Sequence, residues 1–213
     1  MLFRSDPGQG AELVIDHIDA GEHAEHGHTA TGVSNEKLGM WVFLGSECLL
    51  FGALIATYLV YKGRSVNGPF PKDIYDIPYT SVSSFVLLMS SLTMVLALNA
   101  IKRNDSPRLR IWLTITALLG SSFIAGQIYE FTSFIREGLT IKTNLFGSSF
   151  YVLTGFHGVH VTLGILMLLS LVNLSRKGKI TQAKSEVVEI VGLYWHFVDV
   201  VWIVIFTVVY LIP

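Results

Sequence analysis

From residue 37 onward the chain alternates long apolar runs with short polar breaks, and this segmentation predicts its elements. Apolar runs stand at about 38–61, 79–101, 110–134, 147–174 and 187–212. Each reaches about 20 residues or more, enough for a helix to cross a hydrocarbon core roughly 30 Å thick. The breaks KGRSVNGPFPKDIYDIP, KRNDSPRLR, REGLTIKTN and SRKGKITQAKSE carry the Gly, Pro, Asn and charge that end helices. No internal repeat is present. The expected fold is all-α: a polytopic membrane protein with five transmembrane helices in a bundle over 37–213.

Composition agrees, since 51% of the 213 residues are hydrophobic and only 15% are charged, too apolar for an ordinary soluble domain. The formal net charge of -1 hides an uneven distribution, because seven acidic residues but only Arg4 among the bases precede Lys37. Residues 1–36 lack the positive start and continuous apolar stretch of a signal peptide and read as a retained, acidic, extramembrane arm. Its His17, His23, His26 and His28 read as solvated polar residues with nothing to fix a metal geometry. The single Cys48 excludes an internal disulfide and a thiolate cluster. Ten Lys and Arg fall on the side of the N-terminus and five on the other, which places the N-terminus in the cytoplasm and the C-terminus outside.

Polar residues inside the apolar runs are where chemistry is expected. They are Glu47, His157, His160, His196 and Asp199, with Glu130 nearer the outer interface. No Lys or Arg lies at mid-span to neutralise an acid. An Asp at a helix centre costs about 2.5–3.5 kcal/mol on a translocon scale, so these groups are expected to face protein or water. At 1.5 Å per residue, Glu47 lies about 14 Å from the inner end of its span, His196 about 13 Å, Asp199 about 18 Å and His160 about 20 Å. His157 with His160, and His196 with Asp199, are three residues apart, and each pair shares a helix face.

Three readings of this slab compete: structural hydrogen bonding between helices, haem or metal ligation by the histidines, and proton or ion conduction. Two histidines on one face do not make the opposed pair that sandwiches a haem, and no broken helix or inverted repeat supports a transporter. Ser122 with Gly126, and Gly155 with Gly158, read as small-residue packing faces. Trp41, Trp112, Tyr58, Tyr61, Tyr79 and Tyr210 read as interfacial anchors, and the deeper Trp195 and Trp202 as packing. There is no Gly-rich phosphate loop, no Ser-His-Asp arrangement and no basic face for nucleic acid.

Together, YWHFVDVVWIVIFTVVYL at 194–211, TGFHGVHVTLG at 154–164 and the buried glutamate of WVFLGSECLLFGALIATY at 41–58 resemble signatures of subunit III of the haem-copper cytochrome c oxidases. The resemblance covers residue 37 to the end and leaves out the arm. It implies a subunit with no catalytic, cofactor-binding or metal residue of its own. Haem and copper belong to the partner subunits: oxidase subunit I, packed directly against it, and subunit II. The bacterial plasma membrane and its lipids, specific phospholipids included, are the implied setting. Implied roles are assembly, proton uptake at the pump's input and protection from turnover inactivation. By the same resemblance Glu47 matches the family's carbodiimide-reactive glutamate, Glu130 its second buried acid, and His157 and His160 its paired histidines. The long family form has seven spans and a lipid-filled cleft, so five spans correspond to the short bacterial form, which quinol-oxidising relatives share. An independent proton or solute carrier is the alternative from another class.

Overall fold

A computed structural model describes residues 34–62, 77–142 and 144–212. Five long helices account for nearly all of them: α1 Asn35–Lys62, α2 Ile77–Lys102, α3 Ser106–Arg136, α4 Leu145–Arg176 and α5 Ser185–Phe206. A 3₁₀ turn, Gln182–Lys184, leads into α5, and a π-helical turn, Thr207–Leu211, extends it. All five are long and apolar enough to cross a membrane. Each expected span lies within one of them, with α5 counted through its two flanking turns, except that the fifth runs one residue past Leu211, and the described residues contain no strand. The helices run past the apolar runs because polar residues continue them: α3 begins four residues before the apolar stretch, at Ser106. Residues 1–33 of the arm, with its four histidines, lie outside the described residues, and its last residues, Asn35 and Glu36, open α1.

The three described connections end helices by one device. Asn104 (φ 57°), Gly138 (φ 92°) and Gly178 (φ 66°) adopt left-handed backbone immediately beyond the helical residues. In each case the next N–H reaches back five residues: Asp105 to Ala100 O at 2.9 Å, Leu139 to Phe134 O at 2.9 Å and Lys179 to Leu174 O at 3.0 Å. This is the Schellman pattern, which satisfies orphan carbonyls while turning the chain sharply. Asp105 and Asn144 then cap the following helices by accepting from Arg108 N and Gly147 N. Tight hairpins therefore make α2, α3, α4 and α5 sequential antiparallel neighbours.

At the centre lies α5, which touches α1, α2 and α4, while α2 and α3 form the most extensive pair. Trp195 of α5 explains how closely the helices approach. Its indole fills a slot between glycines on two other helices, where a Cβ on Gly120 would stand 2.6 Å from Trp195 Cη2 and one on Gly164 would stand 2.8 Å from Cε3. Its Nε1–H donates to Ser90 Oγ on α2 at 2.9 Å, and two turns along α5 the Trp202 Nε1–H donates to Ser84 Oγ at 2.8 Å. A buried indole thus keeps its apolar body packed and its N–H satisfied. Both tryptophans are packing residues, as expected.

Helix α1 is different. Its fully buried residues are Leu44, Phe51 and Tyr58, and the partly buried Met40, Glu47 and Leu54 fall between them. That is a single seven-residue seam laid against α4 and α5. Only 11% of its most apolar stretch is buried within the chain, against 50% for α5. Polar contacts tie it at both ends. Ser34 Oγ donates to Glu186 and Lys37 Nζ pairs with Glu189 Oε1 at 3.0 Å, while Lys62 Nζ donates to the carbonyls of Val208 and Ile212. These contacts place the starts of α1 and α5 together and their ends together.

Two readings need correction. Tyr58 and Tyr210 are 0% and 6% exposed and sit inside the bundle: Tyr210 lies against the acid Glu130, and Tyr58 lies beside Tyr210 with its ring 5.7 Å from that of Phe146. Gly155 and Gly158 both line an open groove of about 300 Å³ between α3 and α4, but a Cβ on Gly155 would meet nothing within 4 Å, whereas one on Gly158 would stand 2.9 Å from the Gln127 amide oxygen. The glycines give a direct test. Gly120→Ala and Gly164→Ala should each destabilise by about 1–3 kcal/mol through overpacking on Trp195. Gly155→Ala should be neutral or gain up to about 1 kcal/mol from helix propensity. Thermal denaturation of the purified protein reads the difference, and equal behaviour of the three would refute the slot.

Candidate functional site

The six polar residues expected at mid-span are all described, and they do not form one site. The structure distributes them among different helix pairs.

Glu47 and His160 come together between α1 and α4, with Glu47 Oε2 3.1 Å from His160 Nε2 and the two side chains 13% and 12% exposed. The His160 Nδ1 lies 2.7 Å from the carbonyl of Phe156, one turn back on α4. Tyr194 on α5 donates its hydroxyl to the His160 carbonyl at 3.0 Å, and Phe51 packs edge-on to the ring with centroids 5.0 Å apart. Three helices thus converge on this imidazole. Helical geometry explains the meeting: Glu47 occupies the α1 seam three residues after Leu44 and four before Phe51, so its carboxyl must point at the bundle.

His157 shares that face, since Phe51 also lies 6.4 Å from its ring. It is fully buried and caged by aromatics, stacked on Trp202 at 4.9 Å and edge-on to Phe123 at 6.0 Å. Neither ring nitrogen has a hydrogen-bond partner among the described residues. The paired histidines therefore separate: one is held by an acid and a carbonyl, the other by ring stacking alone.

His196 and Asp199 both sit where α5 meets α2 but do not bond to each other. The His196 Nδ1 is 2.5 Å from Ser91 Oγ, and Ser91 is also a polar neighbour of the buried Asp199. Neither carboxyl oxygen makes a hydrogen bond of ordinary geometry among the described residues. A Ser-His-Asp grouping thus forms where the sequence predicted none. It lacks the connectivity of a nucleophilic triad, because the acid does not orient the ring and the serine faces the nitrogen that an orienting acid would occupy.

Glu130 is buried on α3 and accepts from Thr80 Oγ1 on α2 at 2.6 Å. Tyr210 lies against both residues, and Tyr58 of α1 stands beside it. Three helical segments thus meet at this acid, and α1 adjoins them through Tyr58. Thr80, Ser90, Ser91 and Tyr194 were not singled out in the sequence. The signal was available in the paired hydroxyls of α2, SVSS at 81–84 and SSLT at 90–93, which are unusual inside an apolar run.

Among the described residues no three His, Cys, Asp or Glu side chains converge on a point. Both nitrogens of His160 and one of His196 are occupied by protein atoms, and His157 is enclosed by rings. The arrangement suits holding protons and fixing helix register.

Comparison with known proteins identifies the pattern. Residues 16–212 match the family described as cytochrome c oxidase subunit III. The quinol oxidase subunit 3 of Bacillus subtilis (strain 168) is 40% identical over 198 residues, which cover 89% of this chain and 97% of the relative. The cytochrome c oxidase subunit 3 of Bacillus sp. (strain PS3) is 42% identical over 177 residues, 83% of this chain and 86% of that one. The cytochrome bo(3) ubiquinol oxidase subunit 3 of Pseudomonas aeruginosa is 38% identical over 199 residues, 93% and 94% of the two chains.

The Glu130 group can be tested through its donor. Thr80→Val preserves shape, removes the hydroxyl that serves the buried carboxyl, and should cost about 1–3 kcal/mol, the usual penalty for stranding a buried acceptor. A lowered thermal midpoint checks it, and an unchanged midpoint would show that the bond contributes nothing.

Proposed function

Because the chain belongs to the cytochrome c oxidase subunit III family, we propose that it is a non-catalytic subunit of a bacterial respiratory terminal oxidase, packed on subunit I alongside subunit II. Haem and copper are held by those partners, where oxygen is reduced. This chain supports assembly, proton uptake at the pump's input and stability during turnover. It spans the plasma membrane with its N-terminus in the cytoplasm, in accord with the excess of Lys and Arg on that side. Specific phospholipids fill faces that protein does not cover.

One observation carries this reading: at mid-depth the polar side chains point inward and are largely shielded, while large apolar side chains stay exposed along every helix. Leu49, Val42, Trp41 and Val60 of α1 are among them. A chain built this way offers the hydrocarbon and its neighbours a surface for van der Waals packing.

The electron donor is a property of the partners. Cytochrome c is the first reading. Quinol is the second, favoured by the nearly full-length match to the B. subtilis quinol oxidase chain. The subunit II that co-purifies decides between them: Cys, His and Met ligands of a dinuclear copper centre mean cytochrome c, and their absence means quinol.

Affinity purification of the tagged chain from mild detergent should bring a haem-bearing partner with it, and the chain stripped of partners should show no Soret absorption. Solute or proton transport by the isolated chain in liposomes would overturn the proposal in favour of a carrier. Within an assembled complex, Glu47→Gln should leave the initial rate of oxygen reduction near normal and shorten sustained activity. Complete loss of turnover in a complex that retains its haems would contradict a non-catalytic role.

A further inference from the structure

We infer, on the reading of this chain as an oxidase subunit, that the outward strip of α5 centred on His196 is an interface. There a transmembrane helix of a neighbouring subunit brings a hydrogen-bonding side chain to His196 Nε2 at mid-depth.

The imidazole is the reason. Its Nδ1 lies 2.5 Å from Ser91 Oγ. Its Nε2 has no hydrogen-bond partner among the described residues, and it is not sealed inside the bundle as both nitrogens of His157 are. The ring is partly exposed, and it stands about 13 Å from the inner end of a span that crosses a hydrocarbon core of roughly 30 Å. Whichever tautomer the ring adopts, Nε2 carries a proton or a lone pair, and hydrocarbon answers neither. A hydroxyl at an exposed position escapes this difficulty by donating to its own helix, as Ser81 does to the Ile77 carbonyl. The far nitrogen of a histidine cannot reach back in that way, and the side chain is too short to carry it to the headgroups. The partner that satisfies it therefore comes from outside this chain.

Behind the ring the polar atoms lead inward. Ser90 and Thr93 donate to carbonyls of α2, whereas Ser91 makes no such bond among the described residues and is the polar neighbour of both His196 and the buried Asp199. Three polar groups thus run from the interior to the surface and end at Nε2.

Helical spacing shows what surrounds that atom. Val200 and Ile203 follow His196 by four and seven residues along α5, and Leu88 and Val95 lie three before and four after Ser91 on α2; all four are exposed. This strip belongs to the helix that is otherwise the best buried of the chain. An apolar surface with one polar atom at its centre matches a helix that carries apolar side chains around one polar group. In lipid such a pair gains both close packing and a hydrogen bond that fixes its register.

The test uses the assembled oxidase in its membrane. A photoreactive phenylalanine analogue in place of Val200, one turn from His196, should cross-link to another polypeptide of the complex. Mass spectrometry should place the adduct in a transmembrane helix, within one turn of a hydrogen-bonding side chain. His196→Leu strands the neighbour's polar group and should lower retention of this chain during detergent exchange on the order of tenfold. His196→Gln keeps a polar end and should restore most of the retention, and Ser91→Ala, which removes only the internal bond, should stay near wild type. Adducts with lipid alone, with a second copy of this chain, or with a helix that has no polar side chain nearby would each overturn the inference. So would wild-type retention of His196→Leu, or equal losses in His196→Leu and Ser91→Ala. The cross-link is read in a chain that keeps His196, so it decides even if His196→Leu fails to assemble. A wild-type chain that brings no haem-bearing partner defeats the subunit reading and this interface with it, whereas an intact complex in which position 200 meets only lipid defeats the interface alone.

Discussion

Within a hydrocarbon slab there is no water to complete a hydrogen bond, so a buried polar atom is satisfied by the protein or left costly. Nearly every polar side chain on these helices obeys this constraint. Hydroxyls along the exposed faces, among them Thr57, Ser81, Thr132, Thr162 and Ser170, donate to the carbonyl four residues back on their own helix. Some that face inward serve another helix as well: Ser84 and Ser90 accept indole N–H groups while donating to the Thr80 and Leu87 carbonyls, and Thr80 donates to an acid. Gln127 likewise donates to the Thr154 carbonyl across α3 and α4 at 2.8 Å. The bundle is held in register by these few directed contacts, because apolar packing alone discriminates weakly between helix neighbours in lipid.

Close approach is the second requirement, and glycine supplies it. Trp195 reaches α2 with its N–H only because Gly120 and Gly164 leave room for the ring between α3 and α4. Polar matching and packing are thus coupled at one residue, and α5, which carries it, is the best-buried helix of the chain. The histidine and aspartate of its motif lie on the same helix, in contact with the hydroxyl-rich α2.

Set against this core, α1 resembles a strap. A single seam of large residues and three levels of polar contact hold it, and most of its surface remains free. That geometry suits a subunit whose work is done by what it covers. A subunit of an oxidase complex meets lipid and its neighbours through a wide apolar exterior, and large exposed apolar side chains line every described helix. The mid-depth acid on α1 adds the middle contact, to His160 of α4.

The sequence by itself determined the number of helices, their approximate limits, the depth of each ionisable residue and, through three motifs, the family. Apolar length and polar punctuation are local properties, so they are legible along the chain. The partners of the buried acids were not legible. Periodicity says that His196 and Asp199 share a face, but only the neighbouring helix decides that Ser91 meets the ring and that the two do not pair. Tyr58 and Tyr210 lie near span ends, where tyrosine usually anchors at the interface, and only the tertiary contacts of Tyr210 with Glu130 and of Tyr58 with Tyr210 and Phe146 show them turned inward. Gly155 and Gly158 look alike in sequence and line one groove, yet only Gly158 lies close against the Gln127 amide. The reason is common to all three: these helices are apolar around most of their circumference, so the sequence sets depth along each axis while the rotation of one helix against the next is decided by tertiary contact.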